Sequence, residues 1–224
     1  MVNLLAIVVC HNRVNCMMDW LRVWKYCERQ DAKLLVANTG QLKEPSLPPA
    51  TSFVNFSNDG LDIGVIQRVI QSPPEPYDLL FWAPDDFLPM RTDFLNLYRN
   101  PFKDKTVGCV GSFWGVNHVR SGGVCVRREI AERLVFAPDL LHGGTWDQQR
   151  NRCYAFEHGY LNFWQQIKNM GLRILLSDGT EPPASPDWRH MDRQGTIWDR
   201  SMGSWDMWRR FELVFPEVPC LPKT

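Results

Sequence analysis

Asp85 and Asp86 are adjacent acids that follow Pro84 at the end of a buried-type run, Tyr77 to Ala83. Two neighbouring carboxylates at such a place are unfavourable unless something offsets their charge. A hard divalent cation does so, because Mg²⁺ and Mn²⁺ prefer carboxylate oxygens and complete their shells with phosphate oxygens. The competing reading is a plain turn or helix cap, which Asp also suits. Two further polar clusters end apolar runs in the same manner. His11-Asn12-Arg13 follows Leu4 to Cys10, and Asn38-Thr39-Gly40 follows Lys33 to Ala37. In an open α/β sheet, ligands gather at the carboxyl ends of the strands.

The elements that would hold these clusters can be read from hydrophobic patterning. Leu4 to Cys10, Lys33 to Ala37, Ser52 to Phe56 and Tyr77 to Ala83 read as strands, the continuous apolar ones as buried in a parallel sheet. Met17, Trp20, Leu21, Trp24 and Cys27 fall at helical spacing, so residues 14–29 read as a helix, with Asn12 able to cap it. Ile63 to Gln71 reads as a second helix. The first 86 residues thus alternate in the manner of a nucleotide-binding half. Beyond them, Val107 to Gly111, Gly123 to Val126 and Arg173 to Ser177 read as strands. Arg128 to Leu134 and Glu157 to Met170 read as helices, the latter ending at Gly171. Residues 178–195 read as a long loop, and Ile197 to Phe211 as a terminal helix.

Composition narrows the classes. The chain has 224 residues, enough for one well-packed domain. Hydrophobic residues make up 44% and charged residues 22%, which excludes wholesale disorder. Lys+Arg and Asp+Glu are both 25, so no global charge draws the chain to nucleic acid or an anionic membrane. No apolar run approaches a membrane span, and Met1 to Cys10 lacks the marks of a signal peptide. The seven cysteines form no C-x-x-C pair, which fits reduced thiols in the cytoplasm and argues against a zinc ribbon.

The order of these motifs resembles the GT-A glycosyltransferases, most closely the family-2 group, over residues 4 to about 190. The matching stretches are Val8-Val9-Cys10-His11-Asn12-Arg13, Val36-Ala37-Asn38-Thr39-Gly40, Asn58-Asp59-Gly60 and Asp85-Asp86. Ser121 to Arg128, Gly143-Gly144-Thr145-Trp146-Asp147 and Glu157-His158 follow in order. The resemblance implies a single GT-A domain over residues 1–224, Rossmann-like, with a mostly parallel central sheet. Residues 1–86 would form the nucleotide-binding half, and 87–224 the acceptor half with a C-terminal lid or helix. It implies a metal-dependent hexosyl- or pentosyltransferase of inverting type. The sugar would pass from a nucleotide-diphosphate donor to a glycan or other hydroxyl acceptor, with Mn²⁺ or Mg²⁺ as cofactor.

The resemblance also implies residue roles. Asp86 becomes the direct metal ligand, and Asp85 a contact to the donor ribose or to metal-bound water. His190 becomes a further metal ligand. His11, Asn12, Arg13, Asn38 and Arg68 fall on the donor side. Asn38 stands where the family carries an acid, and its carbonyl can still accept a bond from the base. The general base is usually the second acid of a pair opening a helix. Here that pair is Glu157-His158, so either residue takes the role, with Asp147 as a third option.

Other readings stay open at this level. Trp188, Arg189, Arg193, Trp198 and Arg200 suit stacking on sugars with charge neutralisation of a diphosphate, or the holding of an unstacked nucleic-acid base. A viral enzyme that glycosylates hydroxymethylated pyrimidines in DNA, or a non-catalytic nucleotide-sugar binder, would share most of these features. A nucleotidyltransferase would carry a Gly-rich phosphate loop with a Lys after the first strand, and neither is present.

Overall fold

Strand β1 (Leu4–Cys10) is buried at all seven positions, as a continuous apolar run in a parallel sheet should be. It lies between β2 (Ala32–Asn38) and β4 (Leu79–Pro84), parallel to both. Beyond β2 lies β3 (Thr51–Asn55), again parallel. The computed structural model describes residues 3–112, 114–115, 118–119, 122–182, 197–199 and 213–215.

Seven strands form the main sheet in the order β10-β6-β9-β4-β1-β2-β3. β6 (Val107–Gly111) and β10 (Arg173–Leu176) are parallel to each other. β9 (Val124–Arg127) runs antiparallel to both its neighbours, β4 and β6. The sheet is therefore parallel except for one inserted strand. β5 (Phe87–Pro89) leaves the sheet just past the acid pair and pairs antiparallel with β11 (Ile197–Asp199). Those three residues are a strand where the sequence predicts the start of a terminal helix. An edge pairing beside Phe87–Pro89 satisfies their backbone instead. β7 (Trp114–Gly115) and β8 (His118–Val119) make a short antiparallel pair.

The side chains of β1 sort by period two onto two cores. Leu4, Ala6, Val8 and Cys10 face α1 (Val14–Tyr26) and α3 (Phe94–Arg99), where Trp20, Trp24, Phe81 and Phe94 are buried. Rings there meet edge to face, Phe81 and Tyr98 at 4.8 Å between centroids. Leu5, Ile7 and Val9 face α2 (Leu61–Gln71) and α6 (Phe163–Asn169). Each large apolar side chain so buried contributes about 1.5–3 kcal/mol. The short helix α4 (Arg128–Ala131) follows β9, and a 3₁₀ turn (Asn100–Lys103) follows α3. No described helix is long and apolar enough to cross a membrane.

Residues 146–169 depart most from the sequence expectation. Instead of one helix opening at Glu157, there are two. α5 (Trp146–Glu157) ends at Glu157, and α6 starts afresh after the Asn162 cap. The Asn162 side chain accepts from the Trp164 and Gln165 backbone N–H groups at 3.1 and 3.4 Å. That cap offers the chain a helix start where the sequence reading runs straight through. Asn12 likewise does not cap α1: the N-cap is Arg13, without a side-chain bond.

Candidate active site

Parallel register brings three strand ends to one level. Cys10 pairs with Asn38, and Val9 with Pro84. The residues that follow, His11 to Arg13, Thr39-Gly40 and Asp85-Asp86, therefore share one edge of the sheet. Asp85 is fully buried, and its neighbour Asp86 reaches the surface in part. Arg13 bridges the two. Its Nη1 donates to Asp86 Oδ2 at 2.8 Å, and its Nη2 is paired with Asp85 Oδ1. Neither Asp85 oxygen makes a hydrogen bond of good geometry. Burial pushes the Asp85 pKa up to about 7, and the charges of Asp86 and Asp62 add to that. Arg13 and the nearby His11 backbone N–H act the other way.

A cavity of about 610 Å³ opens at this edge. Arg13, His11 and Pro84 line one side, Asp62 and Leu61 from α2 another, and α5 the third. Helical spacing puts Trp146, Arg150, Cys153, Tyr154 and Glu157 on that wall, with His158 just past the helix end. Trp146 is 61% exposed at the mouth. Arg150 lies 5.2 Å from the Tyr154 ring centroid and donates to its hydroxyl at 3.0 Å. Glu157 and His158 approach to 4.0 Å. Because Glu157 ends its helix, its charge gains nothing from the helix dipole, which favours anions at the opposite end.

Asp62 is a cavity-lining acid that the sequence reading missed. It sits in the first turn of α2, and its pKa rises to about 7. Burial is the first cause and the charge of Glu157 the second, with Asp86 adding and Arg13 opposing. Asp62 and Glu157, from two separate segments, thus face one cavity, with the charge of Asp86 felt at Asp62. The available signal was its position three residues after Asn58-Asp59, at the start of an apolar helix.

No protein-family model matches the sequence, and comparison with curated proteins gives no match either. Solved structures do match. A mannosyltransferase from Pyrobaculum calidifontis, in complex with GDP-Man and Mn²⁺, aligns with a TM-score of 0.55 at 16% identity. The alignment covers 82% of this chain and 55% of that one, so the chain spans about half the length of that protein. This chain has the GT-A fold. Two further structures align less closely. S. aureus TarS gives a TM-score of 0.48 at 9% identity, over 62% of this chain and 31% of that one. A Drosophila β-1,4-galactosyltransferase 7 variant with manganese, UDP-Gal and xylobiose gives 0.47 at 16% identity, over 90% and 79%.

On the GT-A sheet, the predicted residues divide into those at the cavity and those that build its rim. His11, Arg13, Glu157 and His158 line it. Asn12 and Asn38 instead hold the loop after β2. Asn12 Oδ1 accepts from Gln41 N at 2.8 Å. Buried Asn38 donates to Asn55 Oδ1 at 2.7 Å and to Leu42 O at 3.1 Å, and its own oxygen accepts from Gly40 N at 3.1 Å. That oxygen, the expected acceptor for a donor base, already accepts this one bond. Arg68 donates to Asp59 O at 2.9 Å and to Ser57 O at 3.3 Å, bracing the turn into α2. Asp85 meets Arg13 where a ribose contact is expected. Asp147 lies in the first turn of α5, at the far end of the helix from Glu157. His190 and the run from Trp188 to Arg193 lie outside the described residues.

Among the described residues, no cluster of three or more His, Cys, Asp or Glu side chains forms a metal cage. The acid pair nonetheless fits a hard cation. Asp85 presents buried oxygens that lack regular hydrogen bonds, and Asp86 presents an accessible carboxylate. One or two carboxylates suffice where substrate phosphates complete the shell.

Proposed function

We propose that this chain is a metal-dependent glycosyltransferase that moves a sugar from a nucleotide-diphosphate donor to an acceptor hydroxyl. The observation that carries the reading is a cavity at the strand ends of a GT-A fold, lined by Arg13 and Glu157-His158, with the Asp85-Asp86 pair held directly behind Arg13. The mannosyltransferase of similar fold is in complex with GDP-Man and Mn²⁺, which supports a nucleotide sugar and a divalent cation here. Residues 1–86 would form the donor half and 87–224 the acceptor half.

Asp86 would hold the cation, with Asp85 behind it. A divalent cation there would supply positive charge to the departing diphosphate. Arg13 is positioned to neutralise the same phosphates. On the opposite wall, Glu157 or His158 would take the proton from the attacking hydroxyl, the arrangement an inverting transfer needs. Trp146 and Tyr154 offer apolar ring faces for a sugar acceptor at the mouth.

Thermal unfolding with a panel of UDP-, GDP- and dTDP-sugars, each with and without Mn²⁺, tests the reading. A ligand that binds only the native state raises apparent stability by mass action. At least one nucleotide sugar is expected to raise Tm only with Mn²⁺, and Asp86→Asn to abolish the rise. No shift with any donor under either condition would overturn the proposal.

A further inference from the structure

Arg13 separates the cavity from the acid pair. It lines the cavity, while Asp85 and Asp86 do not, and its guanidinium holds both carboxylates at once. A guanidinium offers one positive charge and a fork of N–H donors that two carboxylates can share, which leaves one negative charge of the pair uncompensated. It therefore sits against the same two carboxylates that a divalent cation would need. Asp85 is fully buried, so it cannot be left without a positive partner at low cost. The side chain of Arg13 is itself 47% exposed, at the start of α1, so it can swing outward without disturbing a packed core.

We infer that Arg13 is a built-in counter-ion that a divalent cation must displace, and that the displaced guanidinium then binds the diphosphate of the donor. The inference rests on the metal-dependent reading given above. Metal entry and donor entry are thereby ordered. The cation frees Arg13, and the freed Arg13 strengthens the hold on a nucleoside diphosphate. No covalent step is involved.

Calorimetric titration of Mn²⁺ alone into wild type, Arg13→Gln, Arg13→Lys and Asp86→Asn reads the first half. Arg13→Gln should bind Mn²⁺ about tenfold tighter, because a competing charge is gone. Arg13→Lys, which keeps the charge but not the fork, should fall between. Arg13→Gln should also melt lower than wild type in chelator and gain more from Mn²⁺. GDP and UDP titrated at saturating Mn²⁺ read the second half, and Arg13→Gln should weaken them about tenfold. If Asp86→Asn loses Mn²⁺ but Arg13→Gln binds it no tighter than wild type, the displacement idea falls and the metal reading stands. Unchanged GDP and UDP affinity in Arg13→Gln likewise overturns the hand-over to diphosphate. If wild type and Arg13→Gln both fail to bind Mn²⁺ alone, the displacement idea falls, and the metal reading is decided by the nucleotide-sugar panel above.

Discussion

Glu157 and His158 are sequence neighbours with different chemistry, and single substitutions separate them. Loss of a general base lowers kcat about 10²- to 10⁴-fold while leaving donor binding intact. Steady-state kinetics of Glu157→Gln and His158→Asn should therefore show one large kcat loss and one small change, both with near-normal donor affinity. Equal small effects would place the base elsewhere. Asp62 makes a separate, pH-dependent prediction. Its pKa is raised from 3.8 to about 7 in the folded protein, so the folded state binds its proton more tightly than the unfolded state. Between those values the folded state holds more protons, so the contribution of Asp62 to stability falls as pH rises from about 4 to 7 and is flat above. Asp62→Asn should flatten that fall and stabilise the protein at pH 8 by about 1–2 kcal/mol, the side chain being partly solvent-screened. Chemical denaturation at pH 5 and pH 8 reads it. Of the site residues, Asp85-Asp86 and Arg13 were legible because charged groups at the end of a buried strand stand out. The bonding of Asn38 was not, since nothing in the sequence says that its amide holds Gly40, Leu42 and Asn55.

At the scale of elements, α5 is the wall that most depends on local signals. It buries only Cys153 and Phe156. Its inner face lines an open cavity with both charged and aromatic side chains, so it lacks the apolar stripe by which α1 and α2 can be read. A capping box was the signal available: the Thr145 side chain accepts from Gln148 N, and Gln148 Oε1 accepts from Thr145 N at 2.9 Å. Thr145→Ala should lower stability by about 1 kcal/mol, read by urea denaturation. It should also reduce donor binding, because α5 is tied to α2 through Gln149 Oε1, which accepts from Gly60 N at 3.0 Å. The loop after β2 makes a steric prediction. A Cβ on Gly40 would lie 2.2 Å from Asn12 Oδ1, so Gly40→Ala must dislodge the side chain that holds Gln41. The loss should be about 1–3 kcal/mol of stability by the same measurement.

At the scale of the molecule, the sheet is the device that assembles the site. Strands β1, β2 and β4 were legible as continuous apolar runs, and their parallel pairing follows from burial on both faces. The antiparallel insertion of β9 was not legible, because Val124 to Val126 is apolar in either direction. Nor was the return of Ile197–Asp199 to the strand beside the acid pair, since that pairing joins residues more than a hundred positions apart. The second pairing sets Ile197–Asp199 alongside the strand of Phe87, which lines the cavity. Catalysed sugar transfer that depends on Asp86 is the central proposal. Donor turnover measures it most directly: release of nucleoside diphosphate from the stabilising nucleotide sugar, with Mn²⁺ and with chelator, for wild type and Asp86→Asn. Mn²⁺-dependent release that Asp86→Asn lowers about a thousandfold or more is the expected result. Donor binding without any release above the uncatalysed rate, across a panel of hydroxyl acceptors, would contradict the enzyme reading and leave a nucleotide-sugar binding protein.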